Sequence, residues 1–332
     1  MSSGHALSGA AAGYTTCLVY SVAADTELSW WFPHVAAGIV AGWALWCDID
    51  TLKATVTTSL GFITRALHEL VCWAAAGIYY ATRTDKDPAD QPKIHRGITH
   101  TWPGALFMGL LVAAVCLIWP RYATPVVLGV SLHWALRGLS IPRAAHGVPK
   151  GNAAARFITT HAYTALRIVP MPGKVFDRAV RKTARWFGFS GKWVRTSSLL
   201  ICLGLAWVAT EHTPELHHLG YLLALGGLVT EGCLVHMAGD SVTESGICWK
   251  FPLVDKKTGK RWHESKIPVI VWRGKTYKPA FKTGRAFEIA VLYPVLLFAC
   301  ALTAPGGLAL LGHMGELATA WRHNAAVIAA LP

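Results

Sequence analysis

The chain has no Cys-x-x-Cys pair among its eight cysteines and no lysine or arginine before Lys53. The first absence argues against a thiolate zinc site and leaves no pattern for a disulfide framework. Cys17, Cys47, Cys116, Cys202, Cys233 and Cys300 lie in or beside apolar segments, where free cysteine behaves as a small hydrophobe. The second absence removes the positive amino-terminal region of a secretory signal, although Val22-Ala23-Ala24 imitates a cleavage site, so residues 6–24 read as a retained span. Charge is scarce throughout: 15% of the 332 residues, against roughly 25% in an average soluble domain. That scarcity argues against an ordinary soluble domain.

What is present instead is apolar surface. Hydrophobic residues make up 53% of the chain, and the mean hydropathy is +0.38. A spanning helix needs about 20 mainly apolar residues. Candidate spans are 6–24, 31–47, 104–119, 122–136, 198–210, 219–238 and 287–311. The expected fold is all-α, a polytopic membrane helical bundle. Residues 1–136 and 198–332 supply the membrane helices, and 137–197 form a basic amphipathic cytoplasmic insertion. A small β-hairpin excursion is expected at about 249–285, because residues 254–262 look like a hairpin turn and 267–272 like a short strand.

Basic charge orients this bundle. Of 31 lysines and arginines, twelve fall between Arg137 and Arg195 and eleven between Lys250 and Arg285. Loops rich in these residues are retained on the cytoplasmic side, so both stretches are expected there, in an inner (cytoplasmic) membrane. Two spans separate them and return the chain to the same face. Within the insertion, residues 176–189 interleave Arg178, Arg181, Lys182 and Arg185 with aromatics. This reads as a surface helix that binds anionic lipid headgroups, each basic group contributing about 1 kcal/mol. Nucleic-acid binding is the lesser reading of the same charge at a membrane face.

The same topology gathers polar residues beside helix ends. His5 precedes the first span, Asp48 and Asp50 follow the second, His95 and His100 precede the third, and His236 and Asp240 close the sixth. All seven would lie at the cytoplasmic boundary, provided that 59–81 does not cross. That segment carries Arg65, His68 and Glu69 at spacings of three and four, read here as one polar stripe of an interfacial helix. His236 and Asp240, four apart, share a helix face. Asp48 and Asp50, two apart, cannot, so the chain unwinds there or one of them stands behind a ligand. Gly97 is expected to bend the chain, leaving His95 on a loop and His100 in the first turn of the next helix. Isolated His34, His133 and His161 read as structural.

Imidazole and carboxylate ligands without thiolates suit Zn²⁺, with Mn²⁺ an alternative. Sets of this size hold one to three divalent ions, and paired ions clamp an in-line phosphoryl displacement. The expected reaction is attack of a metal-bound hydroxide on phosphorus. Asp50 would bridge ions or accept the proton, and Arg96 would steady the charge developing on the equatorial oxygens. Thr99 and Thr243 are expected to orient ligands by hydrogen bonding.

Four motifs carry a resemblance. Gly4-His5-Ala6-Leu7, Asp48-Ile49-Asp50, His95-Arg96-Gly97-Ile98-Thr99-His100-Thr101 and His236-Met237-Ala238-Gly239-Asp240-Ser241-Val242-Thr243 resemble, in order, those of the YdjM-like family of membrane-bound metal-dependent hydrolases. The glycine-to-proline run Gly246 to Pro252 is similar to that family's tail. Cys47, Thr101 and Glu244 depart from its commoner residues, and none removes a ligand. The resemblance covers about residues 1–110 and 219–270. Through a distant similarity to zinc-dependent phospholipases C, it implies hydrolysis of a phosphoester or phospholipid-like substrate. The alternative is a non-catalytic membrane protein with a structural metal and partner-binding basic loops, distinguished by a closed coordination shell. A transporter is disfavoured because the ligands cluster at one boundary and no repeat symmetry is visible.

Overall fold

The computed structural model describes residues 2–89, 97–139, 175–176, 178–180, 182, 191–241, 246–248, 251–262, 270–272, 275–277 and 293–303. The described chain is mainly helical. Its helices are α1 (Ser2–Ala23), α2 (Phe32–Trp43), α3 (Phe62–Thr82), α4 (Trp102–Ile118), α5 (Pro120–Gly138), α6 (Gly191–His212), α7 (Leu219–Ser241) and α8 (Tyr293–Thr303). Short 3-10 turns stand at Trp46–Asp50, Ile98–His100 and Pro214–His217. Most of the 137–197 insertion, including most of its expected amphipathic helix, lies outside the described residues.

Helix α2 is the hub. It packs against α1, α5 and α7, while α4 packs on α7, α6 on α5 and α8 on α1. Small residues let the backbones meet, since a Cβ on Gly9 would stand 2.7 Å from the Val40 carbonyl oxygen and one on Gly232 2.8 Å from the same atom. Close approach through small residues replaces the hydrophobic effect that lipid cannot supply between helices. Below this contact three indoles pack together: Trp43, Trp46 and Trp134, with centroids 5.4 to 5.9 Å apart. Trp43 donates to Ser131 and Trp134 to Ser59, each at 2.9 Å, so their buried N–H groups are satisfied.

The outside of the bundle is apolar as well. Leu106, Phe107, Leu110 and Ile118 on α4 and Leu200, Leu205 and Val208 on α6 are exposed. Exposed apolar faces on several neighbouring helices form the kind of surface that meets a membrane or another protein. Among the described helices, Phe32–Asp50 (α2 continued into its 3-10 turn) and α7 are long and apolar enough to cross a membrane, and α4 is equally apolar but shorter. The remaining apolar segments are shorter or more polar than that standard.

Helix α3 corrects one expectation. Its buried residues are Thr64, His68, Cys72, Ala75 and Tyr79, whereas Arg65 and Glu69 are exposed, so the three residues read as one stripe are divided between two faces. The outer stripe is Phe62, Ala66, Leu70, Trp73, Gly77 and Tyr80, which is mostly apolar. The inner side is polar because it covers backbone carbonyls, and these need donors: Thr64 donates to Thr57 O at 2.7 Å and His68 Nδ1 to Ile49 O at 2.6 Å. The contacts of α3 fall on the two 3-10 turns at 46–50 and 98–100. It lies across that end of the bundle.

Beyond α7, the 255–260 turn closes through Asp255 N–H to Lys260 O and Gly259 N–H to Asp255 O, both 2.8 Å, with Gly259 at φ +68°. Residues Ile270–Trp272 and Lys275–Tyr277 pair antiparallel, Ile270 opposite Tyr277. The stretch 263–269 lies outside the described residues.

Asp87 ties the 255–262 turn to the end of α3. Its carboxylate accepts from Thr84 N–H (2.8 Å), Thr84 Oγ1 (3.0 Å), Arg261 N–H (3.2 Å) and Trp262 N–H (3.1 Å). Desolvation pushes its pKa up, but these donors outweigh it and hold the group below the ordinary carboxylate value. The anchor is therefore at full strength above the unfolded pKa of about 3.9 and is lost as pH falls through the depressed folded value. Asp87→Ala is expected to cost about 1 to 3 kcal/mol of local stability. Hydrogen exchange at 255–262 should rise in the variant at neutral pH and in the parent only in acid. Equal protection of parent and variant at pH 7 would remove the anchor.

Candidate metal centre

Four elements end at one place. α1 begins there with His5, α2 runs into the Trp46–Asp50 turn, the Ile98–His100 turn precedes α4, and α7 finishes there with His236 and Asp240. The Trp46–Asp50 turn is 3-10, with 3.0 residues per turn, so Asp48 and Asp50 point apart, as two carboxylates two residues apart must. His100 stands in its own 3-10 turn. Thr101 follows in extended conformation and caps α4 by accepting from Gly104 N–H at 3.3 Å, so His100 lies before the helix and not in its first turn.

The distances define a cluster. His236 Nε2 lies 3.2 Å from His100 Nε2, 3.7 Å from Asp240 Oδ2 and 3.7 Å from Asp48 Oδ1. His100 Nε2 is 3.6 Å from Asp240 Oδ2, and His5 Nε2 is 3.4 Å from Asp240 Oδ1. The His5 and His236 rings stack at 3.9 Å. Gly239 leaves room for this, since a Cβ there would come within 3.2 Å of His5 Nδ1. Exposure is 0% for His100 and His236, 2% for Asp240 and 7% for His5, whereas Asp48 is partly exposed.

Hydrogen bonds fix which nitrogen of each ring faces the cluster. His236 Nδ1 is 2.6 Å from Ala44 O, and a carbonyl can only accept, so that nitrogen carries the hydrogen. Thr99 Oγ1 donates to Asp50 Oδ2 at 2.9 Å and has a lone pair left for His100 Nδ1–H at 3.0 Å. The two Nε2 atoms therefore face each other across 3.2 Å, beside two carboxylates. A positive charge between them, a proton on one ring or a metal ion bound by both, makes that approach favourable. Ligand atoms about 2.0 to 2.1 Å from a tetrahedral zinc stand about 3.3 to 3.4 Å apart, which matches the spacings seen. The residues fit a divalent metal by donor type, by separation and by burial.

Two groups satisfy the geometry of a single ion: His5, His236 and Asp240, and Asp48, His100 and His236, with ligand atoms within 4.8 Å of one another in each. Both use His236, whose Nδ1 is already committed to Ala44, and one Nε2 serves one ion. Asp50 belongs to neither. Its Oδ2 lies 3.5 Å from His100 Nδ1, on the far side of that ring, with Thr51 Oγ1 3.3 Å from its other oxygen. His95, Arg96, Thr243 and Glu244 lie outside the described residues.

Some supporting groups were not singled out from the sequence. His68 holds the Ile49 carbonyl, and Ala44 contributes only its backbone. The signal for His68 was available in the spacing Thr64, His68, Cys72, Ala75, Tyr79, which marks the buried face. Nothing in an alanine announces a carbonyl acceptor. His133, read as structural, is wholly buried 3.2 Å from Ser198 Oγ, away from the centre. His34 pairs with Tyr14 at 2.7 Å on the exposed side.

Taken together, the fold and the site define a helical membrane protein with a His/Asp cluster, suited to a metal, at one end of its bundle. Residues 1–139, the part of the chain that supplies His5, Asp48, Asp50 and His100, match the model of the YdjM inner membrane protein family. The match ends before α7, which supplies His236 and Asp240. No curated protein and no solved structure matches the chain at a significant level.

Metal analysis of detergent-purified protein tests the cluster. His100→Ala and Asp240→Ala are each expected to lose the tightly bound ion. Thr99→Val, which removes only the hydroxyl between His100 and Asp50, should weaken affinity about 10- to 100-fold. Unchanged stoichiometry in both ligand variants would eliminate the centre.

Proposed function

We propose that this protein is an integral membrane metal-dependent hydrolase that cleaves a phosphoester, with a phospholipid-like molecule as the favoured substrate. The observation that carries the reading is the pair of imidazole Nε2 atoms 3.2 Å apart among carboxylates, a buried donor set whose type and spacing suit a divalent cation. Zn²⁺ suits this donor set best and Mn²⁺ less well. One ion at His236 draws its other ligands from His5, Asp240, Asp48 and His100. When bound, a divalent ion polarises a phosphoryl oxygen and makes a water more acidic.

The chain's own residues do the rest in this reading. His236 holds the ion, with its other ligands drawn from His5, Asp240, Asp48 and His100. Asp50 and Thr99 orient His100, a role we assign to Asp50 in place of the ion-bridging role expected from its sequence position. His68 fixes the Ile49 carbonyl and through it the turn bearing both aspartates. Asp48 is the most exposed of the set. Arg96 is assigned the developing charge on the phosphoryl oxygens. The apolar outer stripe of α3 supports a lipid-borne substrate, because it brings the bilayer surface against the turns that carry the ligands.

The polytopic arrangement, with the centre and the basic stretches on the cytoplasmic side, follows from the lysine and arginine bias. Anionic lipid headgroups are the proposed partners of residues 137–197. A cysteine introduced at exposed Lys53 should react with a membrane-impermeant maleimide only from the cytoplasmic side, and one at Thr26 only from the outer side. The reverse pattern would overturn this orientation.

Full burial of His100 and His236 favours a second reading, a closed structural metal with no turnover. The two readings part experimentally. Metal-loaded protein should hydrolyse bis(p-nitrophenyl) phosphate or a short-chain phosphatidylcholine, with activity lost by at least 100-fold in Asp240→Ala and on chelation. In the cobalt-loaded protein, phosphate should change the visible spectrum by entering an open position. A spectrum indifferent to phosphate together with no metal-dependent turnover would select the structural reading.

A further inference from the structure

A second cavity lies at the other end of α1 and α7. It occupies about 740 Å³ between the last turns of α1, the connection to α2 and the first half of α7. This is the size of a pocket that takes a drug-sized molecule. One wall is open because α7 presents Gly220, Ala224 and Gly227 to it, and a Cβ on either glycine would meet nothing within 4 Å. Phe32 and Tyr221, edge to face at 5.6 Å, line it as well, with Leu228.

The charge of the lining is one-sided. Glu231, at the middle of α7, is partly buried and accepts from Thr16 Oγ1 at 2.7 Å, and Glu27 stands at the rim. Among the described residues, the lining has no lysine, arginine or histidine. A carboxylate at the middle of a membrane helix is costly and is kept where it meets a partner. Aromatic faces attract cations as well, most strongly where water is excluded. An anionic amphiphile would face two carboxylates and no cation.

We propose that this cavity is a binding site for a lipophilic organic cation, with the charge beside Glu231 and the apolar body against Phe32, Tyr221 and Leu228. The site is separate from the metal centre and does not depend on its activity. Glu231 recognises the charge, and the small residues of α7 admit the bulk. A neutral lipid chain would use the same volume but would be indifferent to the carboxylate.

Equilibrium dialysis of tetraphenylphosphonium against the full chain in dodecyl maltoside tests this, with tetraphenylborate as the anion of equal shape. The expected result is saturable one-to-one binding, weakened at least tenfold in Glu231→Gln and abolished in Gly227→Leu, with no saturable binding of tetraphenylborate dialysed on its own. Retained metal content shows that each variant is folded. Should Glu231→Gln lose its metal, Thr16→Val and Gly227→Leu carry the comparison. Non-saturable partitioning, equal affinity in a folded Glu231→Gln, or saturable binding of tetraphenylborate that Gly227→Leu abolishes would each overturn the proposal, the last by showing an unselective apolar groove.

Discussion

Two imidazole nitrogens held 3.2 Å apart, within a few ångströms of two carboxylates, form the constraint around which this protein is arranged. His100 and His236 are fully buried, so hydration does not offset the charge of the neighbouring carboxylates. The arrangement persists only if other atoms hold it and a positive charge, carried by a proton on the rings or by a metal ion, balances the carboxylates. Both requirements shape the surrounding structure: the Ala44 carbonyl locks His236, the Thr99 hydroxyl and Asp50 lock His100, and Gly239 makes space for His5. The tight meeting of α1, α2 and α7 at Val40 brings these elements close enough for the cluster to form.

Helix α3 inverts the usual relation between burial and polarity. In water an amphipathic helix turns its apolar stripe inward. Here the inner neighbours are 3-10 turns with carbonyls in need of donors, so His68 and Thr64 face inward. The outer neighbour on our reading is lipid, so Phe62, Leu70 and Trp73 face outward. One helix thereby serves two solvents. Its position sets an apolar outer stripe against the two turns that carry Asp48, Asp50 and His100.

The two ends of the bundle differ in chemistry. The cluster end gathers imidazoles and aspartates around one point, while the cavity toward the other end has carboxylates, aromatics and open volume with no basic group among its described lining residues. α1 and α7 serve both, with His5 and His236 toward one end and Thr16 and Glu231 nearer the middle. A single pair of packed helices therefore carries two polar sites at separate depths.

Sequence alone determined that the chain is a membrane protein, because scarcity of charge and length of apolar runs are properties of composition that folding cannot change. It also supplied the metal-ligand candidates, since a greasy chain that keeps histidines and aspartates beside helix ends needs them there, and the His-Arg-Gly-x-Thr-His run is specific enough to mark a family. Only the tertiary structure decided how those groups share the work. It set Asp50 behind the His100 ring and outside both ion-sized groups, turned His68 inward away from Arg65 and Glu69, and joined the candidate ligands through His236. The physical reason is that ligand geometry depends on which nitrogen of a ring is already hydrogen-bonded. That is fixed by backbone carbonyls such as Ala44 O, brought near by packing between residues nearly two hundred positions apart.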